Sequence, residues 1–540
     1  MRKKDNNKKE SFMKGVLVLM FSQVLIKLLG VIYKLYLTNK DGFGDTGNAI
    51  NGSAYQIYAL LLTISSVGVP SAISKLISEK IAQGDNKEAN RVFKISFALF
   101  AVIGFIGSSI LFLGAGYISK ELLQIPEAEL TLVALSPSVF FVTVASVLRG
   151  YFNGRERISV TARSQTIEQI FKTVLTIVVV EIVGIFSNLN TSIMAAGANI
   201  ATTLSVFLSF GYLYLYFKLH RQELNGVLKN SPKCKPERIK TIVKRILFVS
   251  IPITLSAVTS SLNKNIDSFT VVRLLKRFME DGQAKIQYGI LSGKVDTLIM
   301  LPLSFNVAFA TALVPAVAAS KTIGDYNTIN KRISFSILAS ILIGLPCTFG
   351  MIIFADPILN LLFPNAPEGA ILLRWCSLTI ILTLLIQTTS GALQGLGKVM
   401  VPAISGGVGL IIKLILNLVL IPIPSIGVNG AAIASVIYHI FSFSIVFYVL
   451  NKTVKLDIKF KKHIFKPIIA TVIMCICSYY LYILLYGILS IKVSVIIAIL
   501  CAMLIYVISI IILRIFTKEE IFMVPFGGKI YKVLEKIGIY

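Results

Sequence analysis

GYFNGRERISVTARSQTIEQIFK occupies residues 150–172, and GALQGLGKVMVPAISGGVGLIIK occupies residues 391–413. Laid over one another at a shift of 241, without a gap, they bring Gly150 onto Gly391, Gly154 onto Gly395, Ser164 onto Ser405 and Lys172 onto Lys413. Val160 meets Val401 and Ala162 meets Ala403 in the same alignment. GANIAT (197–202) against GAAIAS (430–435) repeats the match at a shift of 233. A weaker match sets Pro70 through Ser74 and Lys75 against Pro315 through Ser320 and Lys321. Three matches in the same order mark an internal repeat, and a repeat constrains the whole architecture.

The repeated segments are helices of a membrane. The chain has 540 residues, 55% of them hydrophobic and only 15% charged. Soluble domains carry about 25% charge. Apolar runs of roughly 20 residues recur, the length needed to cross a ~30 Å hydrocarbon core. About 14 such helices are predicted, at 12–37, 50–70, 92–115, 129–152, 161–184, 192–217, 244–270, 286–316, 331–354, 371–395, 402–421, 428–450, 467–488 and 491–514. An outer-membrane barrel needs short alternating segments instead. The N-terminal run continues past Gln23 and Lys27 without a cleavage site, so it reads as an uncleaved first helix.

A net charge of +27 raises the question of nucleic acid, but the basic residues cluster in short loops between apolar runs. That is the positive-inside pattern, so no nucleic-acid partner is expected. Lys75, Lys80 and Lys87, then Arg155 and Arg157, then Lys452, Lys455 and Lys459 fall in the loops of one side. Both termini are therefore expected on the cytoplasmic face of a multi-pass membrane protein. Arg273, Lys276, Arg277 and Lys285 break the rule, lying in an outer loop between helices 7 and 8.

The predicted architecture is an all-α polytopic membrane protein of two six-helix lobes in parallel repeat plus two C-terminal helices. An N-lobe spans 1–217, a basic cytoplasmic linker 218–243, a C-lobe 244–450, helices 13 and 14 residues 451–514, and an amphipathic tail 515–540. In the tail Lys529, Lys532 and Lys536 share one helical face and Ile530, Val533, Leu534 and Ile537 another, as in an interfacial helix against inner-leaflet lipids. Six helices per lobe is an even number, so the lobes share one orientation. Transporters with such repeats bind cargo near the midplane and rock one repeat against the other.

SPSVFFVTVASVLRGYFNGRERISVTARSQTIEQ (136–169) and VGVPSAISKLISEK (67–80) resemble the stage V sporulation protein B group of polysaccharide flippases. That group lies in the multidrug/oligosaccharidyl-lipid/polysaccharide (MOP) exporter superfamily, beside MurJ-type lipid II flippases and MATE antiporters. The resemblance implies alternating-access movement of an undecaprenyl-pyrophosphate-linked sugar, lipid II or a related cell-envelope precursor, from the inner to the outer leaflet of a bacterial cytoplasmic membrane. It implies membrane lipids and envelope-synthesis enzymes as partners and a cavity lined by helices 1, 2, 7 and 8. Two positions depart from the pattern: Gln23 stands where MurJ-type flippases of Gram-negative bacteria typically carry an arginine, and Val160 where relatives often carry proline.

The intramembrane charges fit such a cavity. A cation at mid-bilayer costs roughly 2.5–3.5 kcal/mol on insertion scales and normally faces a wet interior. Gln23, Lys27, Gly30 and Lys34 share one face of helix 1, with Lys27 near the midplane and Lys34 near the outer end, where snorkelling is the plainer role. Helix 2 offers Gln56. Helix 7 carries Asn263, Lys264, Asp267 and Arg273, and helix 8 carries Lys294 and Asp296. Lysine–aspartate pairs that merely join helices are the plainer reading of Lys264–Asp267 and Lys294–Asp296. The excess of cations suits an anion such as pyrophosphate. Glu168 and Lys172 stand four apart, either a structural pair or a coupling site, while Lys413 has no carboxylate on its own helix.

No GxxxxGK[ST] loop occurs, and the three histidines form no HExxH pattern. The six cysteines show no disulfide spacing. The chain thus reads as a transporter without a cofactor, its energy coming from membrane potential, a cation gradient or downhill consumption of the product outside. An ion-coupled multidrug antiporter and a membrane scaffold for envelope or spore-cortex synthesis are the competing readings.

Overall fold

The computed structural model describes residues 12–64, 68–155, 157–220 and 237–523, with isolated positions beyond. Among these residues all regular structure is helical, as the apolar runs predict. The chain runs through α1 (Phe12–Asn39), α2 (Gly44–Leu62), α3 (Gly68–Ala82), α4 (Asn86–Tyr117), α5 (Glu129–Gly154), α6 (Ile158–Phe186) and α7 (Thr191–Leu219). After the linker come α8 (Ile239–Leu275), α9 (Asp281–Gly289), α10 (Asp296–Ile323), α11 (Tyr326–Ile353), α12 (Ala355–Leu362) and α13 (Ala370–Gly395). The remainder is α14 (Met400–Leu420), α15 (Asn429–Val454), α16 (Lys466–Tyr486), α17 (Ile491–Ile512) and α18 (Lys518–Met523).

Among the described residues 10 helices are long and apolar enough to span a membrane, and they coincide with predicted helices 3–6 and 9–14. Predicted helices 1, 7 and 8 are also helical, as α1, α8 and α9 with α10. Predicted helix 2 (50–70) is longer than its apolar run and is described as α2 and α3, with 65–67 between them outside the described residues. Its extension is small and polar, and Asn48, Asn51 and Ser53 are buried, so hydropathy alone hides it. Predicted helix 8 (286–316) is interrupted by a π-helical turn, Ile290–Val295, between α9 and α10. The tail positions Lys529, Lys532 and Lys536 lie outside the described residues.

Two compact units divide the chain, Met1–Gly293 and Lys294–Tyr540. The division falls 50 residues or more beyond the basic linker (218–243). The physical reason is local. Ile242 and Ile246 of α8 are buried in a core with Ile73, Ile77, Leu148 and Tyr151, and Gly68 of α3 sits against the Ser250 carbonyl. In the second unit Val317, Ile333, Leu393 and Leu450 form one core. Leu338 and Leu342 of α11 form another with Ala470, Met474 and Ala502 of α16 and α17. Each buried Leu or Ile contributes about 1.5–3 kcal/mol against water, though less against lipid.

The repeat is visible in backbone detail. Gly84 ends α3 at φ 77° and Gly324 ends α10 at φ 76°. Each takes the left-handed conformation that glycine adopts without a Cβ penalty. The next residue caps the following helix in both cases: Asp85 accepts from the Glu88 N–H at 2.9 Å and Asp325 from the Thr328 N–H at 3.0 Å. A cap of this kind contributes about 1 kcal/mol.

Both small-xxx-small motifs press against the same pair of turns. A Cβ on Gly150 would lie 3.0 Å from Pro70, and one on Gly154 2.8 Å from the Ser74 carbonyl oxygen. In the second unit Gly391 meets the Ala310 carbonyl and Gly395 the Val314 carbonyl, each at 2.7 Å. Pro70 is thus the counterpart of Ala310, and Ser74 of Val314. This corrects the weak match of Pro70 with Pro315, which is out of register. Backbone approach sets the equivalence, and proline happened to recur a little over one turn away.

Candidate functional site

Arg149 of α5 is buried and organises the interior of the first unit. Its Nε donates to Ser164 Oγ at 3.1 Å, and its Nη2 donates to Glu168 Oε2 at 2.7 Å and to Ser209 Oγ at 3.1 Å. Ser209 Oγ in turn donates to the Ser164 carbonyl at 2.9 Å. One guanidinium therefore ties α5, α6 and α7 together. A charge this deep persists only when paired and fully hydrogen-bonded.

This arrangement corrects the expected Glu168–Lys172 pair. The carboxylate is taken by Arg149 from a neighbouring helix. Lys172 is buried and lies over two tyrosine rings, its Nζ 5.2 Å from the Tyr33 centroid on α1 and 4.7 Å from that of Tyr55 on α2. A desolvated cation–π contact of this kind is worth up to about 2 kcal/mol. The sequence reading missed Arg149, Tyr33 and Tyr55. Spacing of i, i+4 along one helix finds only partners on that helix, and Arg149 is 19 residues from Glu168.

The second unit keeps the serines and the buried lysine and drops the Arg149–Glu168 pair. Ser405 and Ser442, the repeat counterparts of Ser164 and Ser209, are joined at 3.3 Å. The counterpart of Arg149 is Ser390 and that of Glu168 is Gly409. Gly409 is where the Tyr438 ring packs, 2.6 Å from an added Cβ. Lys413 is fully buried, with the buried Asn417 one turn further along α14. Asn306 of α10 holds a neutral network, donating to Thr388 Oγ1 at 3.2 Å and accepting from Ser340 at 3.0 Å.

The predicted cavity residues separate into several environments. Lys27 is exposed on α1, Lys34 is half-buried, and Gln56 is half-buried on α2 beside Tyr55. The Gln23 side chain lies outside the described set. Asn263, Lys264 and Asp267 are half-buried along α8. Arg273 leaves the set: it is exposed and donates to the Glu121 carbonyl, because the helix end places it over the turn at 118–129. Lys294 leaves it as well. It is fully buried in the second unit, where its Nζ donates to the Ala366 carbonyl at 2.8 Å. Asp296 opens α10 and is half-buried. What remains on α1 and α8 is Lys27, Lys34 and Lys264 against Asp267, still a positive balance. Such a balance favours anions over cations.

Residues 12–321 match the family described as polysaccharide biosynthesis protein, and residues 291–419 match the MatE family. Over 442 residues the chain is 25% identical to the lipid II flippase MurJ of Bacillus subtilis, covering 80% of each chain. It is 25% identical over 473 residues to stage V sporulation protein B of the same organism, covering 86% of this chain and 88% of the relative. Among solved structures it resembles lipid II flippase MurJ in an inward closed conformation, with a TM-score of 0.67, 15% identity and coverage of 91% and 98%. That likeness concerns the fold.

Proposed function

The chain belongs to the polysaccharide biosynthesis protein family, and from that premise we propose that it is a lipid flippase of the cell envelope. It carries an undecaprenyl-pyrophosphate-linked sugar, lipid II or a related precursor, from the inner to the outer leaflet by alternating access. Its termini face the cytoplasm. The observation that carries this reading is the sign of the charge on α1 and α8, where Lys27, Lys34 and Lys264 outnumber Asp267. A pyrophosphate supplies several acceptor oxygens for charge-assisted hydrogen bonds from such groups. No nucleotide-binding loop is present in the sequence, so the energy comes from membrane potential, a cation gradient or consumption of the product outside.

The antiporter reading gains support from the MatE match at 291–419. It needs a carboxylate free to take a cation. Glu168 is instead bound to Arg149 at 2.7 Å. A scaffold for envelope-synthesis enzymes needs neither repeat nor buried charge.

Depletion in the native cell tests the flippase reading, with lipid-linked precursor counted on each leaflet. The inner-leaflet pool should rise. An unchanged pool overturns the proposal. Replacing Lys27 and Lys264 together by glutamine should slow flipping at normal expression, and normal flipping would remove them from the site.

A further inference from the structure

The outer loop between α8 and α9 breaks the positive-inside pattern, and Arg273, Lys276 and Lys285 within it are engaged. Lys276 Nζ donates to the Gln124 carbonyl at 2.8 Å and pairs with Asp281 at 2.5 Å. Lys285 Nζ pairs with Glu127 and with Asp281, each at 2.6 Å. Arg273 reaches the Glu121 carbonyl. Three cations of the α8–α9 corner thus grip the turn between α4 and α5. The carboxylates of Asp281 and Glu127 offset the charges of Lys276 and Lys285 locally.

Directly beyond this grip, α9 and the start of the π-helical turn lie on α2 with almost no side chain between them. A Cβ on Gly289 would overlap the Asp45 carbonyl, and one on Gly293 would overlap the Asn48 side chain. From the other side, a Cβ on Gly52 would lie 2.6 Å from Ser292 Oγ. Gly289 and Gly293 are four apart, the small-xxx-small spacing that lets helices meet backbone to backbone. Asn48 is fully buried and donates to Thr38 Oγ1 at 2.9 Å, so the contact is backed by α1 as well.

We propose that segment 281–293 is the outer seal of the transport path, latched by Lys285 and Lys276 to the turn at 118–129, and that it must unlatch before cargo can leave. The proposal rests on the flippase reading for its cargo and its sidedness. The glycine contact supplies closeness and the charges supply hold. Lys285 is 7% exposed in its side chain, so removing Glu127 leaves a desolvated cation held only by Asp281 of its own helix, with no carboxylate across the contact. Burial pushes Asp281 upward, but the bonds from Lys276 and Lys285 outweigh it and keep the carboxyl below its ordinary value. Burial pushes Lys285 downward, and the bonds from Asp281 and Glu127 outweigh that too, raising it. Both groups therefore stay charged at neutral pH.

The test uses the full chain in its native membrane, with Ser292→Cys as a reporter. A membrane-impermeant maleimide is added outside, and the labelled cysteine is identified by peptide mass mapping. The reporter alone should label slowly. Adding Glu127→Gln or Lys285→Gln should raise labelling roughly tenfold, the size of one lost charge-assisted bond. Lys285→Arg should keep the protection. Glu127→Gln changes a half-exposed side chain and serves if Lys285→Gln fails to fold. Unchanged labelling in Glu127→Gln, or in a folded Lys285→Gln, overturns the latch. If labelling rises as expected while depletion leaves the precursor leaflets undisturbed, the latch stands and the flippase reading fails.

Discussion

The interiors of the two repeats occupy the same scaffold and hold it in different ways. In the first unit the α5–α6–α7 contact is fastened by the Arg149–Glu168 ion pair. In the second the same places are Ser390 and Gly409, and the Tyr438 ring fills the space. The serine pair is common to both, Ser164 with Ser209 and Ser405 with Ser442, and so is a buried lysine, Lys172 and Lys413. A helix arrangement fixed by glycine contacts and caps tolerates either chemistry inside. The charged version, however, must be complete, because half of an ion pair is worse than none.

That difference can be broken most severely at Arg149. Arg149→Met should destabilise the protein by about 2–3 kcal/mol, below the range for a fully buried pair because Glu168 keeps some solvent access. Thermal unfolding in detergent would measure it. Arg149→Met with Glu168→Gln should recover most of the loss, and Ser390→Ala in the other repeat should do almost nothing. Equal effects at Arg149 and Ser390 would mean that the lobes are held alike. Next in size is Gly409→Ala, which should cost about 1–2 kcal/mol by crowding Tyr438. Adding Tyr438→Leu should relieve it, and the pair of melting curves is the check.

Lys172→Met comes third, at about 1 kcal/mol, since an apolar side chain of similar length keeps the packing but loses both ring contacts. Tyr55→Leu should reduce that cost in a double-mutant cycle, and an unchanged cost would remove the cation–π contact from the account. The smallest effect belongs to the shared serines. Ser209→Ala should cost about 1 kcal/mol and Ser442→Ala about 0.5 kcal/mol, because Ser209 also receives Arg149. Reversal of that order would show that the guanidinium does not depend on Ser209.

The scaffold was legible in the sequence because membrane spans and repeats are written in composition and in glycine spacing. The 23-residue match of 150–172 with 391–413 located both glycine pairs that press on α3 and α10. Polar partnerships were much less legible. Arg149 binds across helices, Lys294 turns to a carbonyl in the turn at 363–369, and Arg273 to a carbonyl near residue 121. Backbone oxygens carry no sequence signature, so a lysine bound to one looks the same as a lysine waiting for cargo. The π-helical turn at 290–295 was hidden for a related reason, since a one-residue slip in hydrogen bonding leaves the apolar pattern continuous.

The contacts of Gly150 and Gly154 on α3, and of Gly391 and Gly395 on α10, have a mechanical consequence. A joint made of side chains has rotamers to exchange and yields gradually under load. A joint made of two main chains in contact has none. It holds its geometry until it parts, so a push on one end of α3 or α10 arrives undiminished at the other. Such a joint is stiff like a splint, and it makes α3 and α10 levers that do not bend.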